Sequence, residues 1–138
     1  MDDVIETPKR KRPVSMTQKA RALCKERGWH YGQVDHRIPH TFIAQDLFNM
    51  FDAVVLDGAH LIGVQVTSGA NHAARVEKIR ENPIAATWLA TGARIEVWSW
   101  SKLKPRGQAR ASWTWRAQRI EIWDLAAPPA AQPRHLSP

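Results

Sequence analysis

The chain has 138 residues, with 20 Lys and Arg against 13 Asp and Glu, a net charge of +7 and a pI of about 10.2. This length corresponds to one domain with a substantial core, and the basic balance favours a polyanionic partner. No apolar stretch approaches the roughly eighteen residues of a membrane span, and the N-terminal segment is not of signal-peptide type, so we expect a cytosolic protein without membrane association. The single cysteine, Cys24, excludes an internal disulfide.

The first elements of the chain are a basic arm and a helix. Residues 1–14 contain the run PKRKRP, which cannot bury apolar surface and predicts a disordered arm. A capping box of Ser15 and Gln18 then predicts a helix that ends at Gly28, with Cys24 on its apolar face. We expect one domain over residues 15–125, followed by a Pro- and Ala-rich tail at 126–138.

A strand is predicted at residues 29–38, and residues 39–50 read as a loop or a short helical turn. Asp46 in this segment could lean into a cleft beside the next strand, or it could cap a turn of its own.

The centre of the chain reads as a hairpin that leads into a helix. Asp52 opens an apolar strand, Asp57 begins a turn, and a second strand covers residues 61–67. Side chains alternate along a strand, so Gln65 and Thr67 should share one face while the even-numbered residues face a core. A helix is expected from Asn71, with Ala74, Val76 and Ile79 as its buried stripe.

The last part of the chain contains a short helix at 84–89, a strand at 93–100, a basic loop and a final strand at 112–125. The predicted order of elements is therefore α-β-β-β-α-α-β-β. This order indicates a three-layer α/β domain with a mixed β-sheet flanked by helices.

The hairpin and helix resemble the core of the PD-(D/E)XK nuclease superfamily, in its small Holliday-junction-resolvase-like phage and bacterial branch. Asp52 matches the family's Asp, and Gln65-Val66-Thr67 falls on its acid-x-Lys triplet, with an amide and a threonine at the two outer positions. The resemblance covers roughly residues 17 to 100 by order of elements. It implies a restriction-endonuclease-like fold and a location in the cytoplasm of a bacterial or phage-infected cell.

The resemblance also implies a catalytic site built from Asp52, Gln65, Thr67 and Asp46 that uses Mg²⁺ or Mn²⁺. The metal ligands would be Asp52, Gln65, the carbonyl of Val66 and, if it enters the cleft, Asp46. Thr67 carries no charge that could replace the family's lysine. A positive charge would then have to come from the following helix, where the candidates are Arg75, Lys78 and His72.

A run of 24 residues between Glu96 and Glu121 contains six basic residues and no acid. We expect nucleic-acid contacts from this block and from the central helix, namely from Lys102, Lys104, Arg106, Arg110, Arg75 and Lys78. A solvated basic loop is the alternative, and the tryptophans on the last strands could either stack on bases or pack beneath the sheet.

Two classes of function remain from the sequence. One is a metal-dependent DNA endonuclease or resolvase with a variant site. The other is a catalytically inactive protein of the same fold that binds DNA or a protein partner. The sequence leaves undecided whether a protein of either class forms a homodimer.

Overall fold

The computed structural model describes residues 14–37, 39–40, 44–103, 106–107 and 110–126. Within them the fold is α/β, with a five-stranded mixed sheet in the order β1-β4-β5-β6-β7 and a separate two-stranded ribbon. The elements are α1 (Met16–Arg27), β1 (His30–Gln33), β2 (His36–Arg37), β3 (Ala44–Gln45), β4 (Ala53–Leu56), β5 (Leu61–Ser68), α2 (His72–Arg80), α3 (Ile84–Ala90), β6 (Arg94–Leu103) and β7 (Ser112–Ile120).

Local sequence signals determine the ends of α1. The hydroxyl of Ser15 accepts a hydrogen bond from the Gln18 backbone N–H at 3.1 Å, and the Gln18 side chain accepts one from the Ser15 N–H at 2.9 Å. Gly28 ends the helix with a φ of 71°, a left-handed conformation that glycine adopts without a Cβ clash. Cys24 is buried, and burial raises the pKa of its thiol to about 11.

The hairpin of β4 and β5 also forms as predicted. The two strands are antiparallel neighbours, with Leu56 opposite Leu61. A carboxylate oxygen of Asp57 closes the turn by accepting from the backbone N–H groups of Ala59 at 2.9 Å and His60 at 2.7 Å. These two hydrogen bonds lower the pKa of Asp57, the bond from Ala59 having the larger effect.

The sheet is covered by helices on both faces. β5 and β6 are parallel, and α2 and α3 form the crossover between them. One cluster of buried side chains packs the sheet against α1 and includes Val64, Val66 and Trp98. A second cluster packs the opposite face against α2 and α3 and includes Ile79 and Ile95. β5 is therefore buried on both sides, unlike a strand with one polar and one apolar face.

Four sequence predictions about the elements were wrong. The segment at 39–50, read as a loop or a short helical turn, contains the short strand β3. The strand at 29–38 is interrupted. β1 leaves the sheet after Gln33, and His36 and Arg37 form the separate strand β2, which pairs with β3. The final strand ends at Ile120, the last residue with a partner on β6, and a single turn of 3₁₀ helix follows at Ile122–Asp124. Ala74 is exposed rather than buried, because α2 contacts the sheet through His72 and Ile79.

Most of the predicted N-terminal arm and C-terminal tail, together with Lys104 of the basic loop, lies outside the described residues. No helix in the described ranges is both long enough and apolar enough to span a membrane.

Candidate functional site

Asp52 is held at the start of β4 by the neighbouring strands. The backbone N–H of Val66 lies 3.1 and 3.2 Å from the two carboxylate oxygens of Asp52 and donates to them. The side-chain Nε2 of Gln65 donates to Oδ2 of the same carboxylate at 3.4 Å. The structure thus brings together Asp52, Gln65 and Val66. Val66 reaches the carboxylate through its backbone N–H, while its carbonyl, which the sequence analysis considered as a metal ligand, takes no part in this contact.

A tight loop brings Asp46 towards Asp52. Leu47 and Phe51 form an isolated antiparallel bridge, with N–H to carbonyl distances of 2.8 and 3.1 Å. The next pair outward from this bridge is Asp46 and Asp52, so the two acids occupy adjacent positions on the two arms of the loop. The turn requires left-handed conformations at Phe48 and Asn49, whose φ angles are 55° and 60°.

Lys78 of α2 reaches this loop. Its Nζ lies 3.6 Å from Oδ2 of Asp46, and both side chains are half-buried. Of the three candidates for a positive charge on the helix, Lys78 is the one with a contact to a predicted site acid in the described part of the chain. Asp46 is therefore paired with a lysine, and among the described residues its side chain makes no hydrogen bond that caps its own turn.

Gln65 carries an unsatisfied polar atom. Its side chain is 4% exposed, and its Oε1 is buried without a hydrogen-bond partner in the described residues. A buried amide oxygen without a partner loses its hydration without compensation, which costs on the order of 1–3 kcal/mol. Thr67, two residues further along β5, is also buried, and no hydrogen bond joins it to Asp52 or Gln65 among the described residues.

The electrostatic environment of Asp52 disfavours its charged form. Burial raises the pKa of Asp52 from 3.8 to about 7, the N–H of Val66 opposes this rise, and the carboxylates of Asp46 and Asp35 add to it. A carboxyl group of this kind exchanges a proton near neutral pH. It would also bind a cation favourably, because a positive charge would relieve both the burial cost and the repulsion.

Asp35 belongs to this group of acids, and the sequence analysis missed it. The backbone N–H groups of Val34 and Asp35 lie 3.0 and 3.4 Å from the carbonyl oxygen of Asp52, so the chain after β1 is tied to the start of β4. The side chain of Gln33 donates to the carboxylate of Asp35. Burial and then the Asp52 carboxylate raise the pKa of Tyr31, which lies on β1 two residues before Gln33. The alternation of Tyr31, Gln33 and Asp35 was visible in the sequence, but the pairing of β1 with β4 was not.

The oxygen atoms around Asp52 suit a hard divalent cation such as Mg²⁺ or Mn²⁺. The observation that supports this fit is the orphaned Oε1 of Gln65 next to a carboxylate whose pKa is raised. No three Asp, Glu, His or Cys side chains in the described ranges are grouped closely enough to hold a metal ion by themselves. An amide oxygen, a backbone oxygen or water would have to complete the ligand set.

His72 has a different environment from the one expected for a catalytic group. It is 2% exposed, with Nδ1 at 2.7 Å from Oγ of Ser99 and Nε2 at 2.8 Å from Oε1 of Gln118. Both ring nitrogens are thus occupied by groups on β6 and β7, which fastens the start of α2 to the sheet. Arg75, one turn before Lys78, is half-buried and takes part in no ion pair among the described residues.

The predicted nucleic-acid residues of the hairpin lie at its exposed end. Lys102, Arg106 and Arg110 are exposed, and none of them contacts a carboxylate of the described residues. Arg116 and Arg119 of the same block lie on β7, where Arg119 is paired with Glu121 at 2.8 Å.

Comparison with known proteins identifies no relatives: no family model, no curated protein and no solved structure matches this chain. The class of the protein is therefore defined by its own architecture, an α/β domain with a five-stranded mixed sheet flanked by helices.

Proposed function

We propose that the protein is a nucleic-acid-binding member of the PD-(D/E)XK type, with a restriction-endonuclease-like fold and a variant, divalent-metal-dependent site that cleaves DNA. The observation that carries this proposal is the contact of Asp52 with Val66 and Gln65 across β4 and β5, next to the Gln65 amide oxygen, which has no hydrogen-bond partner among the described residues. These are the positions at which the family has its Asp and its triplet.

The connectivity of the sheet supports the same assignment. The helix α1 precedes three antiparallel strands, β1, β4 and β5, and the helices α2 and α3 then lead to β6, which is parallel to β5. Asp52 precedes the second of these strands and Gln65 lies on the third. This is the arrangement of hairpin, triplet and helix on which the resemblance was based.

Lys78 is our candidate for the positive charge that Thr67 cannot supply. Its ammonium group lies beside Asp46. Its helix, α2, covers the face of the sheet opposite to α1. Gln65 points to that same face, because it alternates along β5 with Val64 and Val66, which pack against α1. The ion pair with Asp46 holds the flexible lysine in position. An ammonium group placed beside a phosphate stabilises the negative charge that develops during hydrolysis.

The acids divide between two tasks in this proposal. Asp52 and the Oε1 of Gln65 would hold the ion, with Asp35 as a further carboxylate near them. The chemistry that Mg²⁺ or Mn²⁺ supplies when bound is charge neutralisation at the phosphate and a lower pKa of water. Asp46 positions Lys78, so we do not expect it to act as a primary ligand.

The second candidate function is a nuclease-like protein that binds nucleic acid without cleaving it. Two observations favour it. Thr67 is uncharged and buried, and the described residues contain no group of three Asp, Glu, His or Cys side chains that could hold a metal ion by themselves. In that case Asp52 and Lys78 would serve the structure of the loop and of α2.

A cleavage assay separates the two functions. Single-stranded, duplex and branched DNA would be incubated with the protein in Mg²⁺ and in Mn²⁺, with Asp52→Ala as the test variant and Glu26→Ala, an exposed acid on α1, as the matched control. Cleavage by the wild type and the control but not by Asp52→Ala supports the nuclease. Absence of cleavage on every substrate, together with no heat of Mn²⁺ binding in calorimetry, would reject it.

A further inference from the structure

The β6–β7 hairpin extends beyond the rest of the sheet. β5 pairs with β6 only as far as Trp100, whereas β6 and β7 remain paired up to Leu103 and Ser112. The hairpin therefore projects as a two-stranded ribbon beyond the C-terminal end of β5. Leu103 is six residues beyond Val97, the neighbour of Gln65, which corresponds to roughly 20 Å.

Trp113 lies on this ribbon, opposite Lys102, and its side chain is 46% exposed. Two other tryptophans of the hairpin, Trp98 and Trp100, are buried in the core beneath α1. Trp115 is half-buried and packs edge-on against Trp98, with ring centroids 5.5 Å apart. Core packing accounts for these three side chains, but it does not account for Trp113.

α1 adds positive charge to the aromatic side of the hairpin. The ammonium group of Lys19 lies 4.1 Å from the centre of the Trp113 ring, and the guanidinium group of Arg27 lies 4.7 Å from that of Trp115. Such cation–π contacts hold a ring and a cation next to each other. Lys19 therefore covers one face of the Trp113 ring, and Trp113 nevertheless remains 46% exposed.

No acid neutralises these cations in the described part of the chain. Lys19, Arg27 and Lys102 have no carboxylate within ion-pair distance there, whereas Arg119 at the other end of β7 is paired with Glu121. Among the strands of the described residues, β7 pairs only with β6, so it is an edge strand and no other described strand covers its outer side.

We infer that Trp113, with Lys19 over one face of its ring and Lys102 opposite it on β6, stacks an unpaired base of single-stranded nucleic acid on the other face of the ring. The inference rests on the nucleic-acid part of the function proposed above and specifies its substrate as one that contains a single-stranded segment. Stacking requires an accessible base face, which duplex DNA hides between adjacent base pairs, while the lysines contact the phosphates on either side. The site around Asp52 lies at the same end of the sheet, near the C-terminal end of β5.

Fluorescence anisotropy tests this surface. A labelled oligothymidylate and a blunt duplex of the same length would be titrated with the full-length protein in EDTA, so that no cleavage occurs. Trp113→Ala should bind the single strand on the order of tenfold more weakly, Trp113→Phe should retain most of the affinity, and Lys19→Gln should weaken binding less. Trp123→Ala is the matched control, because Trp123 is 77% exposed and lies away from the ribbon.

Equal binding by Trp113→Ala and Trp123→Ala would overturn the inference, as would tighter binding of the duplex than of the single strand by the wild type. If Trp113→Ala does not fold, unchanged binding by Lys19→Gln and by Trp113→Leu would overturn it instead. The outcome is independent of catalysis. Cleavage without any effect at Trp113 would leave the nuclease proposal intact, and an effect at Trp113 without cleavage would favour the binding protein.

Discussion

The Nζ of Lys78 lies 3.6 Å from Oδ2 of Asp46, and this ion pair connects α2 to the loop that precedes Asp52. The two residues are 32 positions apart in the chain. Asp46 raises the pKa of Asp52, so the pair forms part of the electrostatic environment of the candidate site and not only of the protein surface.

The first prediction concerns Lys78. Lys78→Gln should reduce DNA cleavage by roughly 10²-fold or more, because it removes the only positive charge that we assign to the site. Its free energy of unfolding should fall by no more than about 1 kcal/mol, since a half-exposed ion pair contributes little. Cleavage rates and urea unfolding would be compared with those of Lys25→Gln, an exposed lysine on α1. Normal cleavage by Lys78→Gln would remove Lys78 from the mechanism.

The second prediction concerns the pH dependence of stability at Asp52. Because the pKa of Asp52 rises from 3.8 to about 7 on folding, the folded protein holds a proton between these values that the unfolded chain has released. The stability contributed by this group is therefore lost as the pH rises from about 4 to about 7, by on the order of 4 kcal/mol at most. Asp52→Asn keeps an oxygen for the Val66 N–H and should lack this loss.

Urea unfolding of the wild type and Asp52→Asn across this pH range measures the difference. The advantage of the variant should grow with pH and level off above about pH 7. Glu26→Gln serves as the control, and its free energy of unfolding should change with pH in the same way as that of the wild type. If the curves of the wild type and Asp52→Asn are parallel, Asp52 does not have a raised pKa. Millimolar Mn²⁺ at neutral pH should stabilise the wild type but not Asp52→Asn if the ion binds there.

The third prediction concerns the basic end of the hairpin. Reversing the charges of Lys102, Lys104 and Arg106 to Glu should weaken DNA binding for all sequences alike, because these residues would contact phosphates and not bases. The dependence of log affinity on log salt should become shallower by about 0.9 for each duplex phosphate contact that is lost. Binding isotherms at several salt concentrations measure both effects. Unchanged affinity and slope would mean that the binding surface lies elsewhere.

The fourth prediction concerns Gly63 at the centre of β5. A Cβ at this position would lie 2.6 Å from the ring of Phe51, which is fully buried, so that the ring could shift only by disturbing its neighbours in the core. Gly63→Ala should therefore lower the free energy of unfolding by about 1–3 kcal/mol. Gly32→Ala on β1 is the matched control, because the nearest atom there is 3.7 Å away. Equal stabilities of the two variants would show that the Phe51 ring does not pack against β5.

Signals between neighbouring residues were sufficient to predict several elements. The capping box at Ser15, the glycine stop at Gly28 and the turn at Asp57 each depend on hydrogen bonds within four residues, and all three are confirmed. The hairpin of β4 and β5 follows from the same local chemistry. The mixed α/β sheet followed from the order of these elements, whereas the restriction-endonuclease-like assignment remains a proposal.

The tertiary structure decided which residues meet around Asp52 and which strand faces are buried. Asp35 enters the site because β1 pairs with β4, and Lys78 reaches Asp46 because α2 packs over the sheet. Trp98 is buried because α1 covers its face of the sheet. The sequence pattern alone did not decide whether that face belongs to the core or to the surface. Strand pairing and helix packing join residues far apart in the chain, so the periodicity of one segment carries no information about its partner.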